Sequence, residues 1–134
     1  MTLFTRFAAA TAFALIAMAS PAAAQDHDYI EDVAFFERVV VGGLEVTAFG
    51  IRRDTRCADI RFCERENTLI VSLVLFDYRG KSEVVLELDR LTPVPGGFLV
   101  LRDAGTRPAL RGSVPLDQYA LDIEFLPLDM VVSR

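Results

Sequence analysis

The sequence predicts an all-β fold: a small antiparallel β-sandwich, immunoglobulin-like or a partly open barrel, with six to seven strands and one disulfide. Three observations carry that expectation. Beyond residue 33 the apolar residues recur at every second position or in short runs, and no 3.6-residue period is sustained. Turn signals separate the runs, among them Gly42-Gly43, Arg79-Gly80-Lys81 and the stretch LTPVPGG at 91–97. Finally, the chain has only two cysteines, Cys57 and Cys63, and they follow an N-terminal export signal.

The elements follow in order. Residues 25–32 read as a flexible acidic lead-in. Ala34 to Val41 reads as a strand, turned by Gly42-Gly43 into a return strand, Leu44 to Arg53. On that return Leu44, Val46 and Ala48 share one face, while Glu45 and Thr47 take the other. Glycine supplies the positive φ that a two-residue hairpin turn needs. A polar segment, Asp54 to Asn67, holds both cysteines. Thr68 to Tyr78 (TLIVSLVLFDY) is β-branched and apolar on both faces, as expected of a central strand. Ser82 to Asp89 alternates Val84, Leu86 and Leu88 with Glu87 and Asp89. Pro93 and Pro95 bar residues 91–97 from a strand interior, because proline donates no ladder hydrogen bond. Phe98 to Arg102 reads as a short strand, Asp103 to Thr106 as a turn and Pro108 to Val114 as a weak strand. Tyr119 to Leu126 closes the chain, with Tyr119, Leu121, Ile123 and Phe125 opposite Asp122 and Glu124.

The chain has 134 residues, enough for one domain, and its 52% hydrophobic content is inflated by residues 1–24. Arg6 precedes an uncharged apolar run from Phe7 to Ala19, too short to cross a bilayer. Ser20-Pro21 breaks it, and Ala22-Ala23-Ala24 offers a small-residue cleavage site ahead of Gln25. The expectation is a cleaved signal peptide, 1–24, and a single β domain, 25–134, without a later membrane span. Lacking a cysteine at the cleavage point, the protein is not expected to be a lipoprotein. Export places it in the periplasm or outside the cell.

Loss of Arg6 takes the net charge from −5 to −6. An acidic domain is a poor partner for nucleic acid. One histidine removes most acid–base schemes, and two cysteines cannot build a four-thiolate zinc site. Phosphate-loop, dinucleotide and nucleophile-elbow patterns are absent. The sequence therefore predicts no enzyme and no cofactor, but a structural or protein-binding role, with another envelope protein as partner.

In an exported chain a lone cysteine pair reads as a disulfide, and Cys57–Cys63 would close the short loop CADIRFC. A redox pair would favour a C-x-x-C spacing at a helix N-terminus, which this segment lacks. The run Asp54-Thr55-Arg56-Cys57, with Cys63 and a strand-like stretch from Thr68, resembles a family of small exported bacterial proteins and lipoproteins. Those carry a D-S-R-C-P segment, a second cysteine at the same spacing, then x-W-A-G and a strand. The resemblance implies a compact β-sandwich-like domain with this disulfide, and implies no activity. Ala58 stands where the family has proline, and Arg65-Glu66-Asn67 where it has W-A-G.

Several residues are candidates for function. Arg52, Arg53, Arg56, Arg61 and Arg65 interleave with Asp54, Asp59, Glu64 and Glu66 around the loop. Arg56, Arg61, Phe62 and Arg65 could contact a partner, and in a sharper form Arg61-Phe62 would be protease-inhibitor bait. The plain alternative is a solvated loop of nearly balanced charge. Cleavage after Ala24 would put His27 third in the mature chain. The α-amine of Gln25, the amides of Asp26 and His27 and the imidazole would then form a square-planar Cu(II) or Ni(II) set, unless Gln25 cyclises. The acids Asp26, Asp28, Glu31 and Asp32 lack the spacing of a calcium loop. Asp122 and Glu124 share an outward strand face, which solvent exposure explains without chemistry. Ser72 has no histidine nearby to activate it. An exposed sheet edge could also bind by strand addition.

Overall fold

A computed structural model describes residues 27–58, 61, 63–64, 66–108 and 114–132. The signal segment 1–24, Gln25, Asp26, Phe62, Arg65 and most of the weak strand expected at 108–114 lie outside the described residues.

Among the described residues, eight strands form two four-stranded antiparallel sheets packed face to face and not closed into a barrel. They are β1 (Asp28–Val33), β2 (Arg38–Val41), β3 (Leu44–Asp54), β4 (Leu69–Asp77), β5 (Gly80–Glu87), β6 (Thr92–Val94), β7 (Gly97–Gly105) and β8 (Tyr119–Pro127). One sheet runs β1-β8-β7-β6 and the other β2-β3-β4-β5. The core lies where their inner faces meet. Val46 and Ala48 of β3, Val71, Leu73 and Leu75 of β4, Leu99 and Leu101 of β7, and Leu121, Ile123 and Phe125 of β8 are all buried. The expected period-two faces of β3 and β8 are both present.

Gly42 and Gly43 take φ of +58° and +75° and join β2 to β3 in a two-residue turn. Gly42 is required twice over, because a Cβ there would overlap the Phe125 ring of the opposite sheet. β4 is central, between β3 and β5, as its composition predicts.

Four local expectations are corrected. The acidic lead-in is a strand from Asp28 onward, paired with β8. A bulge between Ile30 and Val33 shifts its alternation so that Val33 enters the core, and Asp28 Oδ2 accepts the Gly42 amide at 2.9 Å. The strand expected from Ala34 starts only at Arg38, because residues 34–37 form the turn that carries the chain between sheets, with Glu37 N donating to Ala34 O at 3.3 Å. Residues 92–94 do form a strand, β6, despite Pro93. It is a sheet edge, where the missing donor faces no partner strand. β7 continues to Gly105 through two bulges rather than ending in a turn at Asp103. β1 and β6 account for the strands beyond the expected six to seven. A five-residue helix, α1 (Leu128–Val132), follows β8 and is too short to leave a sequence period.

Candidate functional site

The cysteine loop leaves the sheet where β3 ends, and a buried ionic cluster holds its base. The Arg56 side chain is 1% exposed and that of Asp54 9%. Arg56 Nε donates to Asp54 Oδ1 and Nη2 to Oδ2, both at 3.0 Å, the two-pronged geometry that suits guanidinium and carboxylate. Arg56 Nη2 also donates to Thr106 O at 2.8 Å and Nη1 to Gly105 O at 3.4 Å, which ties the loop to the end of β7. The Tyr119 hydroxyl donates to Asp54 Oδ2 at 2.6 Å, and the guanidinium lies 5.5 Å from the Tyr119 ring centroid. Phe35 backs that ring edge-on at 5.6 Å.

The electrostatics follow from this packing. Burial by itself would raise the Asp54 carboxyl, but the hydrogen bonds from Arg56 and Tyr119 outweigh it and hold Asp54 below the usual aspartate value. Burial, then the hydrogen bond to the Asp54 carboxylate and its charge, push the Tyr119 hydroxyl up to about 12. At neutral pH the cluster is a cation, an anion and a neutral phenol. Among the described residues no buried side-chain polar atom lacks a hydrogen-bond partner.

The remaining residues of the segment fix the loop backbone. Thr55 N donates to Thr68 O at 2.9 Å, and its hydroxyl to Glu66 O at 2.5 Å. Cys57 N donates to Asn67 Oδ1 at 2.9 Å, while Cys57 O accepts from Arg107 Nη1 at 3.2 Å. Cys57 and Cys63 are disulfide-bonded, with Cα atoms 5.6 Å apart. From this fixed base Arg61 and Glu64 are presented to solvent.

Of the residues expected to meet a partner, Arg56 is therefore corrected. Its guanidinium is turned into the fold and satisfied there, so it positions the loop instead of contacting anything outside it. Arg61 is exposed as expected, and Phe62 and Arg65 lie outside the described residues. His27 Nε2 sits 2.7 Å from Glu124 Oε1, while the other two members of the expected metal set lie outside the described residues. Glu124 also accepts from Arg102 Nε. Those two hydrogen bonds outweigh burial and lower the Glu124 carboxyl. Asp122 accepts the Asp32 amide at 3.1 Å and the Tyr29 hydroxyl at 3.4 Å. Each carboxylate of the expected pair is thus engaged by its own donors. Ser72 is buried beneath Arg52, whose Nε donates to its Oγ at 2.8 Å, on the sheet opposite to the one His27 approaches. Among the described residues no cluster of three or more His, Cys, Asp or Glu side chains is arranged to hold a metal.

Tyr119, Asn67 and Arg107 are the members that sequence reading missed. Asn67 and Arg107 are ordinary polar loop residues in sequence. Tyr119 reads as one more inward residue of an alternating strand, and its hydroxyl partner lies 65 positions away.

Hollows among the described residues include these two. One of about 230 Å³ lies between α1 and the outer face of β7 and β8, beside Arg102, Leu126 and Met130. The other, about 290 Å³, opens at the seam between β5 and β6, beside Val84, Pro93 and Val94. No protein family, curated protein or solved structure matches this chain.

Proposed function

We propose that this chain is an exported, non-catalytic β-sandwich of the cell envelope that binds another protein through its cysteine loop. The observation that carries the proposal is the buried Asp54–Arg56–Tyr119 cluster beneath a disulfide-closed loop. A loop whose base is fixed by a satisfied ion pair has little conformational freedom left to lose on binding, and such preorganisation strengthens association. Arg61 at its exposed surface is a residue type favoured in contact surfaces. The signal-like residues 1–24 and the lone cysteine pair support export.

A photocrosslinking side chain placed at Glu64, in cells that export the protein, tests the loop. One discrete adduct is expected, lost in Arg61→Glu/Arg65→Glu with thermal stability unchanged. The same side chain at Tyr78, 83% exposed on the β4–β5 turn, is the control. Identical adducts from both positions, or an adduct indifferent to the charge reversal, would remove the loop as contact surface.

A second reading, an N-terminal Cu(II) or Ni(II) site, is favoured by the His27–Glu124 contact alone. A carboxylate held against Nε2 leaves Nδ1 as the imidazole acceptor, and Nδ1 is the nitrogen that chelation with the preceding amides requires. Protein processed after Ala24 should then show a visible Cu(II) d–d band that His27→Ala abolishes. A band surviving that substitution would sink this reading.

A further inference from the structure

We infer that two copies of this chain associate through antiparallel pairing of their β5 strands, joining two β2-β3-β4-β5 sheets into one continuous sheet. Among the described residues no strand of its own sheet lies beyond β5, and backbone pairing with the opposite sheet begins only past its last residue, where Leu88 is bridged to Leu101 of β7 and the Asp89 amide donates to Leu101 O at 2.8 Å. The other three edges are poorer templates. β6 is three residues long and contains Pro93, β2 has four residues, and β1 is bulged between Ile30 and Val33. β5 has eight residues and pairs with β4 without interruption.

The backbone of β5 has a definite orientation. Leu88 N donates to Leu69 O at 2.9 Å, which extends the register that sets Glu87 opposite Ile70 and Leu86 opposite Val71. In an antiparallel ladder, bonding to one neighbour alternates residue by residue. Ser82, Val84 and Leu86 therefore direct their backbone groups at β4. Lys81, Glu83 and Val85 direct theirs out of the sheet, as does the Glu87 amide. The Glu87 carbonyl is taken by the Arg90 amide at 3.1 Å.

A two-fold axis opposes residues of the same face, which restricts the registers. One choice sets Glu83 against Glu83 of the second copy, and the opposite shift sets Glu83 against Glu87. Like charges placed directly across a strand pair are destabilising. The register centred on Val84 instead sets Lys81 against Glu87 at both ends, Glu83 against Val85, and Val84 against itself. It also brings the outward-directed amides and carbonyls of Glu83 and Val85 face to face, as a hydrogen-bonded pair requires. Charged residues on an edge normally discourage pairing. Here they disfavour the neighbouring registers, to an extent reduced by Arg52 at 2.8 Å from Glu83 and Arg90 at 3.3 Å from Glu87, and in this one they set a lysine against a carboxylate at both ends. Lys81 is the only lysine of the chain, and among the described residues it forms no ion pair.

The inner side of the edge points the same way. The sandwich is open at the β5–β6 seam, where Val84, Leu75, Val94 and Pro93 border the hollow of about 290 Å³. Val84 of the second copy would arrive beside Val84 of the first and cover part of that apolar rim.

Sedimentation equilibrium of the exported, processed protein tests the association, with a concentration-dependent doubling of mass expected. Carbodiimide should then form an amide between Lys81 Nζ and the Glu87 carboxyl, with loss of water. Mixing ¹⁴N and ¹⁵N protein identifies the bond as intermolecular. Within one chain these residues are six positions apart on a strand, about 20 Å, beyond the reach of a zero-length linkage. Lys81→Glu should weaken dimerisation about tenfold, and Lys81→Glu/Glu87→Lys should restore it by exchanging the two ends of each pair. A wild-type protein that stays monomeric into the millimolar range would overturn the inference. So would a dimer indifferent to Lys81→Glu, or linkage of Lys81 to carboxylates of its own chain only.

Discussion

Asp54→Asn is the most informative single perturbation, because it removes one charge from the buried pair and almost no volume. Arg56 would keep its hydrogen bonds to Gly105 O and Thr106 O but lose its counter-charge at a site where its side chain is 1% exposed. Breaking a buried ion pair by removing one partner costs about 3–5 kcal/mol, most of it the penalty of the stranded charge. For a domain of this size about 4 °C of Tm accompanies each kcal/mol, so a fall of about 12–20 °C is expected. Circular dichroism melts and urea titrations at neutral pH measure both quantities. The pH dependence supplies a second check. The folded-state pKa of Asp54 lies below the ordinary 3.8, so its contribution is present above that value and is lost as pH falls through the folded one. The gap between wild type and Asp54→Asn should therefore be constant at neutral pH and narrow below pH 3.8. The double substitution Asp54→Leu/Arg56→Met, which removes both charges, should retain more stability than Asp54→Asn. A loss under about 0.5 kcal/mol, the scale of an exposed ion pair such as Arg38–Glu45, would refute the buried anchor. A gap that does not change on acidification would refute the electrostatic account of it.

Three further outcomes are expected. The Tyr119 hydroxyl is raised to about 12, so its contribution is intact below the ordinary value of 10.0 and is lost as pH climbs through that interval. In tyrosinate absorbance the last tyrosine to ionise should be the one that Tyr119→Phe removes, with stability at neutral pH lowered by about 1.5–3 kcal/mol for the lost bond to a carboxylate. Reducing Cys57–Cys63 should cost about 2 kcal/mol, the chain-entropy value for so short a loop, measured as the difference in urea midpoint with and without reductant. Gly42→Ala should cost about 2–3 kcal/mol in the same assay, since it combines a positive φ with overlap against Phe125, whereas Gly50→Ala meets open space and has an ordinary φ.

The fold was legible in sequence wherever local pattern and burial agree. β8 and the first half of β3 alternate because one face of each meets the opposite sheet, β4 declares itself as a β-branched apolar run, and the Gly42-Gly43 turn by its composition. β1 and β6 were not legible. The acids of β1 read as a solvated tail, since nothing local says that the Asp28 carboxylate accepts the Gly42 amide or that the Asp32 backbone amide donates to Asp122. Pro93 reads as a strand breaker unless the strand is known to lie at an edge. The cysteine pair and the D-T-R-C run were visible, but the role of Arg56 was inverted. Arginine in a polar, cysteine-bearing loop is ordinarily exposed, and only acceptors from Gly105, Thr106 and Asp54 make its burial tolerable.

The sequence by itself determined that this protein is built of strands, where most of them turn, and which two cysteines close its loop. Those properties depend on neighbours in the chain: alternation, glycine at positive φ, and cysteines six positions apart. The tertiary structure alone decided which strands become edges, that β5 has a neighbouring strand on one side only among the described residues, and that Arg56 turns inward to Asp54 and Tyr119. Each depends on groups brought together from distant parts of the chain, and the energy of a buried charge is set by what surrounds it in space.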